Sequence, residues 1–409
     1  MARHRRTKRI TGAALAAAVV AGAVLFLTTS SDPASAIGST AAPKANSTAA
    51  AATACKLPAT SAYMSEGFTS QDDFVASTGT LKATMIFVDF PDAPADDSTT
   101  NLYDELAPGA SQWFKTASYG KLDLTIKADT SRFYRMPRSA SSYGYERGLS
   151  YESHQQYIQD AVQTAGRLVD FRGTQLLYIV PTRRASAISF SPTFMGSVTA
   201  ADGTSIAKTV TFGQDLWTWG SNVVNHETGH AMGLPDLYSF ASGGPDHPYV
   251  GGWDMMGLIS GPAPDHFAWH KWKHNWITDA QVGCVAVTGT TSHRLTSLET
   301  AGGKKIIVVK THDTRAIVAE VRSAKGNDAA TCATGVLIYT VDTDIRTGSG
   351  PIRVQDARPG SGGCSGNELG DATYGYGPGS VSHYRDGVSG VTIDVTSRNR
   401  DGYTLAVRK

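Results

Sequence analysis

The stretch that most restricts this chain is His226-Glu227-Thr228-Gly229-His230-Ala231-Met232-Gly233-Leu234-Pro235-Asp236. On a helix, histidines four residues apart lie on one face and one turn apart, so both imidazoles reach a single cation. Glu227 follows the first histidine, too far round the helix to share that cation but near enough to take a proton from an attacking water. Gly233 suits a helix end in a left-handed turn and Pro235 prevents resumption, so the chain swings back and offers Asp236 to the same metal. The pattern predicts a zinc site with His226, His230 and Asp236 as ligands, Glu227 as general base and one position open to water. Of the competing groups nearby, Asp246 and Asp254 have no helix-ending glycine to fix their approach, and His247 lies eleven residues further along a Gly- and Pro-rich loop.

Charged residues are 18% of the 409 and the net charge is +1, so no long-range field favours nucleic acid or an anionic surface. Arg3, Arg5, Arg6, Lys8 and Arg9 precede an apolar run at 12–27, and Ala34-Ser35-Ala36 fits a small-residue cleavage site. Residues 1–36 therefore read as a secretory signal, which predicts a secreted, extracellular protein with no stable membrane insertion after cleavage; an uncleaved anchor is the alternative. Cys55, Cys284, Cys332 and Cys364 form an even set in an exported chain, and disulfides are expected. Cys332 and Cys364 flank one loop-rich segment and need little chain closure to pair, which leaves Cys55 with Cys284. The alternative for Cys55 is a thiolate that caps the zinc.

Residues 37–60 are dominated by Ala, Thr and Ser and read as a linker or short pro-region without a core. A buried strand is expected at 84–88, followed by Asp92, Asp96 and Asp97, whose spacing fits a solvated acidic loop better than a calcium site. A helical face through Leu102, Leu106, Trp113 and Phe114, an alternating strand at 122–126, a helix at 151–167 and a strand at 175–180 argue for an α/β layer. Trp253-Asp254-Met255-Met256-Gly257 is placed to turn under the metal with a methionine in its floor. A helix at 264–276 carries His266, His270 and His274. With no acidic or thiol partner expected on that face, and Phe267, Trp269, Trp272 and Trp276 among them, it reads as packing, not a second metal site. Beyond 282 the β-rich runs 305–310, 315–322, 335–341, 391–397 and 403–408 predict a separate, sandwich-like domain. The expected division is thus 61–280 for a catalytic domain and 281–409 for a β-rich one.

The segment from His226 to Tyr238 resembles the immune inhibitor A family of secreted bacterial metalloproteases, in the metzincin clan. The likeness extends through Gly252-Trp253-Asp254-Met255-Met256, upstream to Val88-Asp89-Phe90-Pro91-Asp92 and Ala117-Ser118-Tyr119-Gly120-Lys121-Leu122, and downstream to Gly335-Val336-Leu337-Ile338-Tyr339. It implies an α/β (α+β) protease fold with a mixed sheet and an active-site helix, zinc on His226, His230 and Asp236, Glu227 as base and Met256 as the Met-turn methionine. It also implies structural calcium, at residues the resemblance does not specify. The expected function is a secreted zinc endopeptidase acting on protein or peptide substrates. The rival is an exported zinc-binding surface or adhesion protein, against which Glu227 argues, since a closed structural site has no use for a base. Tyr238 and Tyr249 both remain candidates to hold the developing oxyanion.

Overall fold

Apolar positions of period two build the first sheet, and they face two different layers. In the computed structural model, which describes residues 52–409 except Ser365, the first half contains β1 (Gly79–Asp89), α1 (Thr99–Ala117), β2 (Leu122–Ala128), β3 (Tyr134–Arg135), α2 (Tyr151–Ala165), β4 (Leu176–Pro181), β5 (Thr193–Phe194), β6 (Val198–Thr199), β7 (Ser205–Ile206), β8 (Thr209–Thr211), α3 (Leu216–Trp219), α4 (Ser221–Ala231) and α5 (Ala268–Lys273). The expected signal at 1–36 and the start of the expected linker lie outside the described residues. Strands run in the order β2-β1-β4-β8-β5, with β3 joined to β1. β1 is parallel to β2 and β4, β4 is parallel to β8, and β5 runs antiparallel at the edge.

Alternate residues of β1 and β4 serve opposite sides, as the pleat requires. Leu81, Ala83, Met85 and Phe87, with Leu176, Tyr178 and Val180, pack under α1 and α4, whereas Ile86, Val88, Leu177 and Ile179 pack on α2. Helices on both faces explain why β4 is buried throughout and lacks polar alternation. α1 starts at Ser98, whose side chain accepts from the Asn101 N–H. At Gly109 a Cβ would lie 2.9 Å from Ser221 Oγ, so a bare glycine lets α1 approach the start of α4.

The second half adds β9 (Val282–Val285), β10 (Thr290–Thr296), β11 (Ile306–Lys310), β12 (Arg315–Arg322), β13 (Gly335–Asp342), β14 (Ile352–Val354), β15 (His383–Arg385), β16 (Thr392–Asn399) and β17 (Gly402–Arg408). They form two sheets, β14-β13-β12-β11-β9 and β10-β17-β16-β15. Ile307, Val309, Ile317, Ala319, Val336 and Ile338 face the second sheet through Leu295, Ile393, Leu405 and Val407. Their neighbours Val308, Val318, Leu337 and Tyr339 face the other way, into one cluster with Leu234, Trp253, Met256, Trp269 and Trp272. That cluster crosses the expected boundary at 280/281. The chain is a mixed α/β structure with several sheets and few helices.

Residues 52–68 form a strap over this cluster. Ala52, Cys55 and Leu57 are buried in it, and Phe68 meets the Trp269 and Trp272 rings edge-on at 5.2 and 4.7 Å. The end of the expected coreless linker therefore has a core after all; its partners lie some 200 residues away and leave no local periodicity. Cys55 is bonded to Cys284 and Cys332 to Cys364, the expected pairs. The bond on Cys55 removes the zinc-capping alternative. Among the described residues no helix is long and apolar enough to cross a membrane.

Candidate metal centre

α4 carries His226 and His230 on one face, and the residues that end it bring a carboxylate back to them. Gly233 takes φ +92°, and the Leu234 N–H donates to the Gly229 carbonyl at 3.0 Å, which closes the helix. Asp236 Oδ1 then stands 3.1 Å from both His226 Nε2 and His230 Nε2. The opposite ring nitrogens are engaged by backbone carbonyls, His226 Nδ1 with Met255 O at 2.9 Å and His230 Nδ1 with Leu234 O at 2.7 Å. Each Nδ1 donates to its carbonyl, which fixes the rings so that each Nε2 points at Asp236. Two imidazole nitrogens and a carboxylate oxygen, convergent and oriented from behind, can hold a metal ion. Burial lowers the His230 pKa, but the Asp236 carboxylate outweighs it and lifts the group to about 9; the imidazoles in turn hold Asp236 far below the usual carboxylate range against its burial.

The floor of the site is the turn around Asp254. Met256 lies beneath Gly229, where a Cβ would come within 2.6 Å of the Met256 sulfur, so the glycine between the histidines is a packing requirement. The Leu237 N–H donates to Met256 O at 2.8 Å, tying the ligand loop to the turn. Asp254 Oδ1 accepts from the Met256 N–H at 2.8 Å and Oδ2 from the Phe267 N–H at 2.6 Å, the structural part expected of it.

Glu227 is buried and points to the same side. Contrary to the expectation that it stands too far round the helix, its carboxylate lies close enough to both histidines to share an ion with them. Asp236 nevertheless makes the better third donor, because it touches both Nε2 atoms, while Glu227 Oε2 is engaged 2.7 Å from the Thr193 hydroxyl on the edge strand β5. Burial raises the Glu227 pKa, opposed by the two histidines. The site opens into a cleft of about 760 Å³ whose lining includes Arg147, Asp215, Tyr238 and three of the exposed large apolar side chains, Tyr63, Trp219 and Phe240. Arg147 and Tyr238 both line the cleft, and the Tyr238 ring lies 6.1 Å from that of His226. Tyr249 packs instead under the Arg353 guanidinium, 4.2 Å from its ring centre, outside the cleft lining.

The second histidine group corrects one expectation. The helix there spans only Ala268–Lys273, and acidic partners do sit on the histidine face. His270 Nδ1 is 2.8 Å from Asp254 Oδ2 and its Nε2 is 2.9 Å from Glu66 Oε1, while Lys273 Nζ is 3.2 Å from Glu66 Oε2. Burial pushes His270 down, but the two carboxylates bring it to about 9, so it is an imidazolium with both nitrogens donating. Asp254, His266 and His270 lie close enough to hold an ion, and both His270 ring nitrogens are engaged by carboxylates, those of Asp254 and Glu66. Glu66 and Asp254 thus face His270 and Lys273 in one buried network. The acidic loop also resolves into separate pairs: Asp92 with the Ala140 N–H, Asp96 with Arg184, and Asp97 with Thr182 and the Arg183 N–H.

Buried neutral histidines make the fold sensitive to acid. His154, 2.7 Å from the Thr211 hydroxyl, is lowered to about 4 by burial, and burial also holds His274 well below its ordinary value. The unfolded chain takes up these protons below about pH 6.5 and the folded chain does not, so stability falls as pH drops from 6.5 towards 4. The His154 share is at most about 3 kcal/mol. Thermal unfolding of His154→Gln is expected to depend less steeply on pH over that range than wild type; parallel slopes would contradict a neutral His154.

A search with protein-family models and a search of curated proteins each return no match for this chain.

Proposed function

We propose that this protein is a secreted zinc endopeptidase of the immune inhibitor A type, a metzincin, that hydrolyses peptide bonds in protein or peptide substrates. The observation that carries the reading is a buried carboxylate, Glu227, beside a convergent two-histidine, one-aspartate donor set at the floor of an open cleft. That donor set suits Zn²⁺ over the all-oxygen preferences of Ca²⁺ and Mg²⁺. In this reading residues 61–280 are the catalytic region, β9–β17 the sandwich-like one, and the disulfides fit an extracellular location.

When bound, zinc supplies Lewis acidity, polarising the scissile carbonyl and making water nucleophilic near neutral pH. Glu227 then has the proton work. The Thr193 hydroxyl occupies Oε2, leaving Oε1 to take the proton of the attacking water and pass it to the departing amine. The raised pKa produced by burial suits a group that must both accept and donate. Tyr238 stays protonated, since burial and the Asp236 charge raise its pKa, and its hydroxyl is the group that would donate to the developing oxyanion. The exposed rings of Tyr63, Trp219 and Phe240 offer apolar walls to substrate side chains.

The test is to incubate purified protein with a denatured protein, with chelator and with zinc added back. Cleavage that chelator abolishes and zinc restores is expected. A zinc-loaded protein that cut nothing would favour the rival, an exported zinc-binding surface or adhesion protein. Asp236→Ala is expected to lose its metal on dialysis while wild type keeps about one zinc per chain. Full retention would remove Asp236 from the ligand set.

A further inference from the structure

The two histidine ligands are oriented from the first half of the chain, by Leu234 O and Met255 O. Asp236 is different. It lies past the helix end, in a segment without regular structure, and its backbone is gripped by the loop between β13 and β14. The Asp236 N–H donates to Thr347 Oγ1 at 2.8 Å, and the Gly348 N–H donates to the Asp236 carbonyl at 3.0 Å. The Phe240 N–H continues the ladder to Gly348 O at 2.9 Å. We propose that Thr347, from the C-terminal β region, is a positioning residue for the third metal ligand, so that the β region is part of the metal centre and not an accessory to it. This rests on the metal-site reading above.

The loop is built for that grip. Thr347 is only 6% exposed, and its own N–H donates to Tyr63 O on the strap at 3.1 Å. The strap in turn is fastened beside the loop, since the Thr60 and Ser65 hydroxyls both donate to Thr343 O, at 2.5 and 2.8 Å. Gly348 takes φ +69°, and a Cβ there would lie 2.2 Å from the Phe240 ring, so only glycine lets the loop close on the ligand segment. Every backbone polar group of Asp236 is thus satisfied by a segment 111 residues away. Removing the Thr347 oxygen leaves the Asp236 N–H without its acceptor and frees the peptide that aims the carboxylate. Partners that orient a ligand characteristically account for about 10–100-fold in metal affinity.

Thr347→Val keeps the shape and removes the acceptor; Thr347→Ser keeps the acceptor. Zinc affinity, measured on the full secreted chain by competition with a chromogenic chelator, is expected to fall about 10–100-fold in Thr347→Val and to stay within about threefold of wild type in Thr347→Ser. Gly348→Ala displaces the same loop without touching the hydroxyl and is expected to weaken zinc binding in the same direction, which keeps the test decisive if Thr347→Val fails to fold. Thermal unfolding of the zinc-free proteins separates positioning from general destabilisation: the loss of affinity should persist where zinc-free stability is unchanged. Wild-type affinity in Thr347→Val, or in a folded Gly348→Ala, overturns the proposal. A wild-type protein that does not bind zinc at all would instead overturn the metal-site reading itself.

Discussion

Replacing Glu227 by Gln is expected to lower kcat about 10²–10⁴-fold on a protein substrate while leaving zinc content unchanged. Gln keeps the volume of the side chain and its contact with the Thr193 hydroxyl, 2.7 Å from Oε2 in the native protein. His226, His230 and Asp236 are untouched, so the donor set survives. What disappears is the ability of Oε1 to take and return a proton, which is a cost in the chemical step, about 3–5 kcal/mol of activation free energy. KM should therefore change little. A variant that retained more than about a tenth of wild-type turnover would show that Glu227 is not the essential base, even if zinc dependence stood.

The largest effect on stability is expected at Glu66. Its carboxylate is fully buried and faces His270 and Lys273, whose charges hold its pKa down against the cost of burial. Glu66→Ala leaves the His270 imidazolium with Asp254 alone and Lys273 with only the Ser65 carbonyl at 3.3 Å. Breaking a buried pair from one side costs about 3–5 kcal/mol, because the surviving charge is stranded in low dielectric. Denaturant unfolding at neutral pH should show that loss. Adding Lys273→Met should recover part of it, since one of the stranded charges goes with it. If Glu66→Ala unfolded at the wild-type midpoint, the network under the metal site would be a geometric coincidence of no energetic weight.

These two residues also mark how far the sequence reaches. Glu227 is legible because it and the three candidate donors fall within residues 226–236, where helix geometry converts spacing directly into direction, and where Gly233 and Pro235 announce the reversal. The strand runs were legible from equally local signals, β-rich stretches bounded by turn residues, and the observed Arg315–Arg322 strand has the bounds its run suggests. Glu66 was not legible. It sits between Ser65 and Gly67, in a stretch where no periodicity singles it out, and its partner His270 is 204 residues on. The histidines of the 264–276 segment appeared to lack acidic partners only because those partners, Asp254 and Glu66, come from other turns of the chain.

The sequence by itself determined the candidate donor types, their spacing on one helix and the carboxylate beside them. It also set which strand residues alternate, though not what each face meets, since a period of two says that a side is buried and nothing about by what. Only the tertiary structure decided that Tyr238 and not Tyr249 faces the metal site, that the 280/281 boundary is crossed by one hydrophobic cluster, and that Thr347 holds the backbone of Asp236. The physical reason is the range of the interactions. Helix and strand periodicities are fixed by neighbours within a turn or a pleat, whereas these contacts join residues more than a hundred positions apart, and their geometry exists only once the whole core has closed.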